Sequence, residues 1–288
     1  MEKEEWTSVI ESNKGKSFSF SEIWNYRDLV LLFVRRDFVK EFKQTILGPL
    51  WFIIQPVFQT FVLVFMFGKV GGLAPENVPT VSFFLGGVLL WNLFSDILLK
   101  TSETFRANAD IFGKVYFPRM VMPFAQIITS GLKFSVQLVL FVIVYLIEVY
   151  NSPFVEPNLS IFLFPVYVII TAILATGIGL IISSMTTKYW DLRFLVQFGV
   201  QLLMYVSTVA VPLVSTTMVQ MKGGWMEKLI LANPISSLVE GMRYAFFGGV
   251  GGVFHQGALL YSSSVAVVTL VLGVFIFNRV ERNFMDTV

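Results

Sequence analysis

Six apolar stretches divide the chain, and each approaches the roughly 20 residues that a helix needs to cross a bilayer. They cover residues 46–67, 81–99, 120–147, 159–182, 194–214 and 259–277, with polar or charged segments between them. Asp96 lies near the end of the second stretch and Lys133 near the middle of the third. We interpret residues 120–132 as beginning at or below the membrane interface, which keeps Lys133 away from the bilayer centre. The pattern predicts an all-α integral membrane protein with six transmembrane helices.

Lys and Arg are distributed unevenly between the two sides of these spans. Besides Lys133 within the third stretch, the chain has 20 Lys and Arg residues. Sixteen of them precede residue 46, follow residue 277 or lie in the 100–119 and 188–193 connections, and four lie on the other side. Because Lys and Arg are enriched in cytoplasmic loops, both termini are predicted to be cytoplasmic. The chain then divides into a polar N-terminal segment at 1–21, too polar for a signal peptide, a helix at 22–45, a membrane domain at 46–278 and a cytoplasmic tail at 279–288.

Residues 22–45 are predicted to form an amphipathic helix in the cytoplasmic interface. Its apolar residues share one face of the helix and are Val30, Phe33, Val34 and Phe38. Its basic residues lie on other faces and are Arg35, Arg36 and Lys40. The basic residues could serve only to attract anionic lipid, or they could hold a lipid-linked diphosphate before it enters the protein.

A second short amphipathic helix is predicted at 104–116, in the connection between the second and third spans. Aromatic and apolar residues alternate there with charges, and Pro118 ends any helix. Such a helix could dock into a groove on a partner through its Phe and Ile side chains, or it could only cap the bundle. The candidate docking residues are Thr104, Phe105, Arg106, Ile111, Phe112, Lys114 and Tyr116.

Residues 225–247 are predicted to form a helical hairpin that dips into the outer leaflet. Asn233 and Pro234 force a break between two helices, each too short to span the bilayer. Irregular backbone at that depth needs surrounding protein or a water-filled cavity, which suits a gate over a pathway. Glu240 and Arg243 could contribute to such a gate or simply pair with each other, since they are three residues apart.

Two membrane spans carry polar and aromatic side chains at helical spacing. The candidate channel residues are Trp51, Gln55, Phe58 and Gln59 on the first span, and Gln197, Gln201, Tyr205 and Thr208 on the fifth. Amides exchange hydrogen bonds with sugar hydroxyls and aromatic rings stack on pyranose faces, so the stripes could line a glycan path. The alternative is that glutamines join neighbouring helices. Neither stripe contains Lys or Arg, which favours a near-neutral glycan over a polyanion.

Composition excludes several functional classes. Hydrophobic residues make up 55% of the 288 residues and charged residues only 14%, whereas soluble domains carry about 25% charged residues. A net charge of +2 gives no dominant basic field for binding nucleic acid. The absence of Cys and the single His255 rule out disulfides, thiolate sites and multi-His metal sites. We therefore expect no catalytic residue, metal site or cofactor in this chain.

The source of energy is predicted to lie outside the chain. Gly15-Lys16-Ser17 resembles the end of a phosphate-binding loop, but Ile10 occupies the position of the required first Gly. Ion coupling needs titratable groups within the membrane, and only Asp96 and Lys133 qualify. An external motor acting on the cytoplasmic face is the better inference.

These features occur in an order that resembles the permease subunit of type-2 ABC exporters for bacterial surface polysaccharides. The residues that carry the likeness are Tyr26-Arg27-Asp28-Leu29, Arg36-Asp37, Thr45-x-Leu47-Gly48-x-x-Trp51, Pro56, Lys114-Val115-Tyr116-Phe117-Pro118-Arg119, Pro123 and Asn233-Pro234 with Glu240 and Arg243. Lys133 departs from the pattern, because an uncharged or acidic residue is expected near that position.

The resemblance implies a homodimer with two copies of a separate ABC ATPase that binds ATP and Mg. It implies that 104–116 is the coupling helix, that the N-terminal helix is a gate helix, that 225–247 is a periplasmic gate, and that the first and fifth spans line the channel. The substrate would be a polysaccharide on undecaprenyl diphosphate that crosses the bacterial inner membrane, with O-antigen favoured over teichoic acid or capsule.

Two rival functions remain open at this point. A permease of the same fold could export a small lipophilic molecule, which predicts apolar facing stripes. A membrane-embedded glycolipid-processing enzyme would need Asp, Glu or His clustered at one membrane face, and the sequence offers no such cluster.

Overall fold

A computed structural model describes residues 20–75, 77–115, 117–151, 158–213, 224–253 and 255–284, and all regular elements in these ranges are helical. Residues 1–19 of the predicted polar segment at 1–21, the docking candidate Tyr116 and the end of the tail at 285–288 lie outside them. The helices are α1 Phe20–Asn25, α2 Arg27–Phe42, α3 Trp51–Leu63, α4 Thr80–Ser102, α5 Thr104–Ala107, α6 Ala109–Phe112, α7 Val121–Asn151, α8 Phe164–Thr186, α9 Leu192–Tyr205, α10 Trp225–Ala232, α11 Pro234–Gly251 and α12 Gln256–Phe284.

Within the ranges that the structure describes, five helical segments are long and apolar enough to cross a membrane. They are Gly48–Val70, Thr80–Ser102, Val121–Asn151, Leu159–Thr186 and Gln256–Glu281. The first consists of a 3₁₀ turn, α3 and a π-helical turn at Val64–Val70, and the fourth begins with a 3₁₀ turn at Leu159–Leu163. Five of the six predicted spans are thus helices of sufficient length, and the chain is a multi-pass membrane protein by composition and length.

The predicted span at 194–214 is instead a shorter helix. Helix α9 has 14 residues, or about 21 Å, and ends at Tyr205. The Ser207 hydroxyl donates to the Met204 carbonyl at 2.7 Å and accepts from the Val209 amide at 3.3 Å. These local bonds offer the backbone an alternative to the helix, so the apolar run continues as a turn. Counting apolar residues alone could not detect this break.

Helix α4 forms the centre of the bundle and is buried along most of its length. It contacts α3, α7, α8, α9 and α11. Helices α8 and α12 approach closely through glycines: a Cβ atom on Gly177 would lie 2.5 Å from the Leu270 nitrogen, and one on Gly273 would lie 2.5 Å from the Gly177 oxygen. Close backbone approach through small residues is how membrane helices gain packing energy without a hydrophobic driving force.

The predicted N-terminal helix is broken in two at Tyr26 and ends at Phe42. Helix α2 buries Val30, Phe33 and Val34 against the rest of the chain. Its outer surface mixes the exposed Leu31 and Leu32 with Arg35 and Lys40, so apolar and basic residues are less segregated than the sequence suggested.

The predicted single helix at 104–116 is instead two one-turn helices, α5 and α6, separated at Asn108. The Asn108 amide donates to the Thr104 carbonyl at 2.9 Å and ends the first turn. A small aromatic core surrounds both turns and joins them to α2 and α12; its members include Phe33, Phe105, Phe112, Phe117 and Phe277. We call the end of the bundle that contains α2, α5 and α6 the basic end, and the end that contains α10 and α11 the opposite end.

Candidate transport pathway and its two ends

Helix α3 presents its predicted polar and aromatic stripe on an open surface. Trp51, Gln55 and Phe58 are exposed, whereas Phe52 and Pro56 are buried on the inner side of the same helix. Gln59, predicted to belong to the stripe, turns toward α4 and accepts a hydrogen bond from the Asn92 amide at 3.1 Å. Gln59 therefore serves at least partly as a helix-to-helix contact, the alternative that the sequence left open.

Helix α9 presents a comparable surface. Gln197, Gln201 and Tyr205 are exposed, and Val196 and Val200 are buried behind them. Both α3 and α9 pack against α4, so the two stripes belong to helices attached to one central element. In a single copy of the chain both surfaces are open.

Thr208, the fourth predicted member of the α9 stripe, does not belong to it. It lies beyond the end of the helix and is fully buried. Its hydroxyl donates to the Ser236 carbonyl at 3.0 Å and its amide donates to the Ser236 hydroxyl at 3.4 Å. The prediction that Thr208 lines the channel is wrong, because it assumed a helix that continues past Tyr205.

At the opposite end, the hairpin predicted at 225–247 consists of α10 and α11. Asn233 separates the two helices, and its side-chain oxygen accepts from the Ile235 amide at 3.2 Å while Pro234 occupies the first helical turn. This is the usual chemistry of a helix start, in which a side-chain oxygen and a residue without an N–H complete the first turn.

Glu240 and Arg243 are buried together and form an ion pair at 3.2 Å. The suggestion that they pair with each other is confirmed. The Arg243 guanidinium also donates to the Thr208 carbonyl at 2.5 Å and the Val209 carbonyl at 3.1 Å. Glu240 accepts from the amides of Leu213 and Val253, both at 3.4 Å. The pair thus satisfies irregular backbone after α9, which at membrane depth must find partners within the protein.

At the basic end, four charged side chains form a ring that sequence reasoning missed. Lys100 contacts Glu41 and, at 2.8 Å, Asp96. Lys133 lies 3.3 Å from Asp96 and 4.0 Å from Glu41. The Ser130 hydroxyl donates to Asp96 at 2.6 Å. The ring, defined as Glu41, Asp96, Lys100 and Lys133, joins α2, α4 and α7, and it explains how the chain accommodates the unexpected Lys133.

One sequence signal could have pointed to this ring. Asp96 and Lys100 are four residues apart and therefore face the same side of α4. The sequence could not, however, bring Glu41 and Lys133 to the same place, because their contact depends on how α2 lies across α4 and α7.

The predicted headgroup residues Arg35, Arg36 and Lys40 line an open groove of about 630 Å³ on the outer surface of α2. Leu32, Val39, Lys43 and Gln44 complete its lining. Arg36 donates to Asp37 at 2.7 Å and lies 3.5 Å from the Asn108 oxygen, so part of its hydrogen-bonding capacity is used within the chain. The groove combines several cations with apolar side chains, which suits an amphiphilic anion.

The predicted docking residues divide into buried and exposed groups. Thr104, Phe105 and Phe112 are buried, and Phe105 stacks on Phe277 with ring centroids 4.4 Å apart. The expectation that Phe105 and Phe112 project as anchors for a partner is therefore wrong, because both rings pack α5 and α6 into the chain's own aromatic core.

Arg106 and Lys114 are exposed and Ile111 is half-buried, so these candidates remain available at the surface. The Arg106 guanidinium lies 5.0 Å from the ring of Trp190, in the connection between α8 and α9. Arg193, in the first turn of α9, contacts Glu103 at 2.6 Å. The connection between α8 and α9, together with the start of α9, therefore supports α5 and α6 from one side.

Comparison with known proteins places these features in a family. Residues 28–247 match the family model described as "ABC-2 type transporter". The chain is 26% identical to the "O-antigen export system permease protein RfbA" of Klebsiella pneumoniae, over 90% of this chain and 94% of the relative.

Two further relatives have similar coverage. The protein of the same name from Myxococcus xanthus is 25% identical over 93% of this chain and 98% of its own length. The "Polysialic acid transport protein KpsM" of Escherichia coli is 24% identical over 88% of this chain and 93% of its own length. Since the family match covers most of the chain, from the start of α2 to near the end of α11, this protein belongs to the ABC-2 type transporter family.

Proposed function

We propose that this protein is the membrane-spanning subunit of an ATP-driven exporter that moves a polysaccharide linked to undecaprenyl diphosphate across the bacterial inner membrane. The observation that carries the proposal is the pair of open, glutamine- and aromatic-bearing faces on α3 and α9, both attached to α4. The names of the relatives, which describe O-antigen and polysialic acid transport, support the substrate class.

Two copies of the chain would bring these faces together around one path. A lone chain would expose Gln197 and Gln201 to lipid, and an amide in hydrocarbon without a partner is costly. A hydrated seam between two copies removes that cost and supplies hydroxyl-rich ligands for the amides. Weak contacts repeated along the seam let a long polymer slide, whereas one tight site would hold it in place.

The favoured cargo is O-antigen rather than a polyanionic capsule or a teichoic acid. The stripe residues on α3 and α9 are uncharged, so the path offers hydrogen bonds and stacking rather than charge. The groove on α2 would receive the diphosphate of the lipid carrier through Arg35, Arg36 and Lys40, next to the start of the path. By the distribution of Lys and Arg, the basic end faces the cytoplasm.

Two copies of a separate ATPase would act on the basic end. Among the docking candidates that the structure describes, Arg106, Ile111 and Lys114 remain accessible, and the aromatic core beneath them can transmit force to α2 and α12. The hairpin of α10 and α11 would form the gate at the periplasmic side. Reversing the charges of Arg106 and Lys114 together should prevent ATPase association in a pull-down while the permease still folds, and normal association would count against this docking surface.

The decisive experiment compares surface glycan with and without the gene in its host. Deletion should remove the surface polysaccharide and leave lipid-linked glycan at the cytoplasmic side, and restoring the wild-type gene should reverse both effects. Restoration with Gln197→Leu and Gln201→Leu together should not return the surface glycan, although the protein reaches the membrane. Val196→Leu with Val200→Ile is the control for helix packing, because both residues are buried behind the stripe. Full export by the double Leu variant would remove α9 from the path.

A further inference from the structure

The ring at the basic end contains one residue that belongs to the N-terminal helix. Glu41 lies seven positions after Val34 and three after Phe38, so the three share the inward face of α2. Phe38 lies 5.6 Å from Phe52 of α3, measured between ring centroids, and Lys133 lies 5.8 Å from the same Phe52 ring. Glu41 thus ends the face by which α2 attaches to the bundle, whereas the basic groove faces away from it.

The Glu41 carboxylate bridges two ammonium groups with its two oxygens. One oxygen contacts Lys100 and the other lies 4.0 Å from Lys133. Two oxygens of a phosphate group can span the same pair of cations, and phosphate carries more charge than a carboxylate. The carboxylate therefore stands in a position that a phosphate could occupy.

Both lysines of the ring have a second carboxylate partner besides Glu41. Asp96 holds Lys100 at 2.8 Å and Lys133 at 3.3 Å, and Ser130 fixes Asp96 in turn. With Glu41 present, two carboxylates balance two ammonium groups. Once Glu41 leaves, Asp96 alone remains and the site carries a formal charge of +1, which favours an incoming anion.

The ring is also accessible, because its side chains are between 19% and 26% exposed. By contrast, a fully buried ion pair could not exchange a partner without local unfolding. Lys40, which lines the α2 groove, directly precedes Glu41 and points about 100° around the helix from it, so an anion leaving the groove reaches the ring by moving around the C-terminal end of α2.

We infer that Lys100 and Lys133 form a second diphosphate site, which Glu41 occupies in the state seen here. A lipid diphosphate delivered from the groove exchanges with Glu41 and releases the C-terminal end of α2 from the bundle. The site rests on the proposed function, because the lipid carrier is its ligand. The ligand shifts α2 toward the released position by binding better to it than to the attached one.

The test measures binding of farnesyl diphosphate, a short isoprenyl diphosphate, to the full chain in phosphatidylcholine nanodiscs by titration calorimetry. Glu41→Gln should lower the dissociation constant about three- to tenfold, because it removes the internal competitor. Glu103→Gln is the matched control: it removes a carboxylate of similar exposure, 24% against 23%, which pairs with Arg193 away from the ring. It should leave the dissociation constant unchanged.

A double variant tests whether the gain requires the second ammonium group, whereas Glu103→Gln already accounts for the general loss of one negative charge. Adding Lys133→Met to Glu41→Gln should abolish the gain, because the second ammonium group is lost. An affinity equal to wild type in Glu41→Gln, or a gain that persists in the double variant, overturns the inference. If Glu41→Gln does not fold, Glu41→Asp is used instead, because its shorter side chain withdraws the carboxylate from the lysines while keeping its charge. The affinity of Glu41→Asp for farnesyl diphosphate should be two- to threefold higher than that of the wild type. An affinity equal to that of the wild type would also overturn the inference.

Inorganic pyrophosphate distinguishes the lipid from a free anion. Farnesyl diphosphate should bind at least tenfold more tightly than pyrophosphate, and equal affinities would overturn the assignment to a lipid carrier. The proposed function fails by a different result, namely unchanged surface glycan in the deletion strain. That experiment does not involve Glu41, so the two failures cannot be confused.

Discussion

The two ends of the bundle both contain carboxylates paired with cations, but the pairs differ in burial. Glu240 and Arg243 are each 1% exposed, whereas the members of the ring at the basic end are 19–26% exposed. The buried pair supports irregular backbone within one region, and the ring joins three separate helices. Burial makes the first pair structural, and partial exposure leaves the second able to exchange partners.

The largest effect is expected from Arg243→Met. This change leaves Glu240 buried without its cation and removes the donors to the carbonyls of Thr208 and Val209. Breaking a buried ion pair on one side costs about 3–5 kcal/mol, so the free energy of unfolding in mixed micelles should fall by that amount. The free energy of unfolding should fall by less in Arg243→Lys, because lysine keeps the positive charge but loses the planar pair of donors of the guanidinium group. A loss below about 1 kcal/mol in the Met variant would erase the distinction between the two ends.

A smaller effect should follow from Gly87→Ala, which probes the position of Arg243 without removing it. A Cβ atom on Gly87 would lie 2.9 Å from a guanidinium nitrogen of Arg243 and 3.6 Å from the Val209 Cα. The methyl group should push the guanidinium off the carbonyls and lower the free energy of unfolding by about 1–3 kcal/mol. Gly131→Ala is a suitable control, because a Cβ atom there meets nothing within 4 Å. Equal stability of the two variants would mean that Arg243 is not held tightly.

The comparison also shows what the sequence could and could not predict. Apolar length located five spanning helices, and the Asn233-Pro234 pair located the break in the hairpin, because both depend on local chemistry. The end of α9 was missed because Ser207 redirects the backbone through bonds that an apolar count ignores.

Among the site residues, too, the predictions that depend on local sequence agree with the structure and those that depend on long-range contacts do not. The exposed positions of Gln197 and Gln201 agree with helical spacing, which is a local property. Phe105 and Phe112 were misassigned because their partners, Phe277 and Phe117, come from other parts of the chain. Glu41 was not identified at all, since its contacts lie 59 and 92 positions away at Lys100 and Lys133. The positions of these residues depend on long-range packing, which cannot be inferred from a single sequence.

Removing one cation from the ring should cost much less than removing Arg243. Lys133→Met leaves Asp96 with Lys100 and the Ser130 hydroxyl, and water can reach the remaining charges. Exposed ion pairs contribute about 0.2–1 kcal/mol and breaking a fully buried pair costs about 3–5 kcal/mol, so for side chains that are 19–26% exposed the free energy of unfolding should fall by an intermediate amount, about 1–2 kcal/mol. The apolar Met side chain can still pack near Phe52, which separates loss of charge from loss of volume. A loss as large as that of Arg243→Met would show that the ring is structural rather than exchangeable.

The smallest and most selective effect is the response to salt. Exposed charges are screened over about 3 Å at 1 M ionic strength and about 10 Å at 0.1 M, whereas buried pairs are screened much less. The coupling energy between Glu41 and Lys133, from a double-mutant cycle with Glu41→Gln and Lys133→Met, should therefore shrink toward zero in 1 M NaCl. The same cycle for Glu240 and Arg243 should keep most of its coupling energy at both salt concentrations. Because each cycle cancels the general effect of salt on the micelle, equal salt sensitivity at the two ends would mean that burial does not separate them.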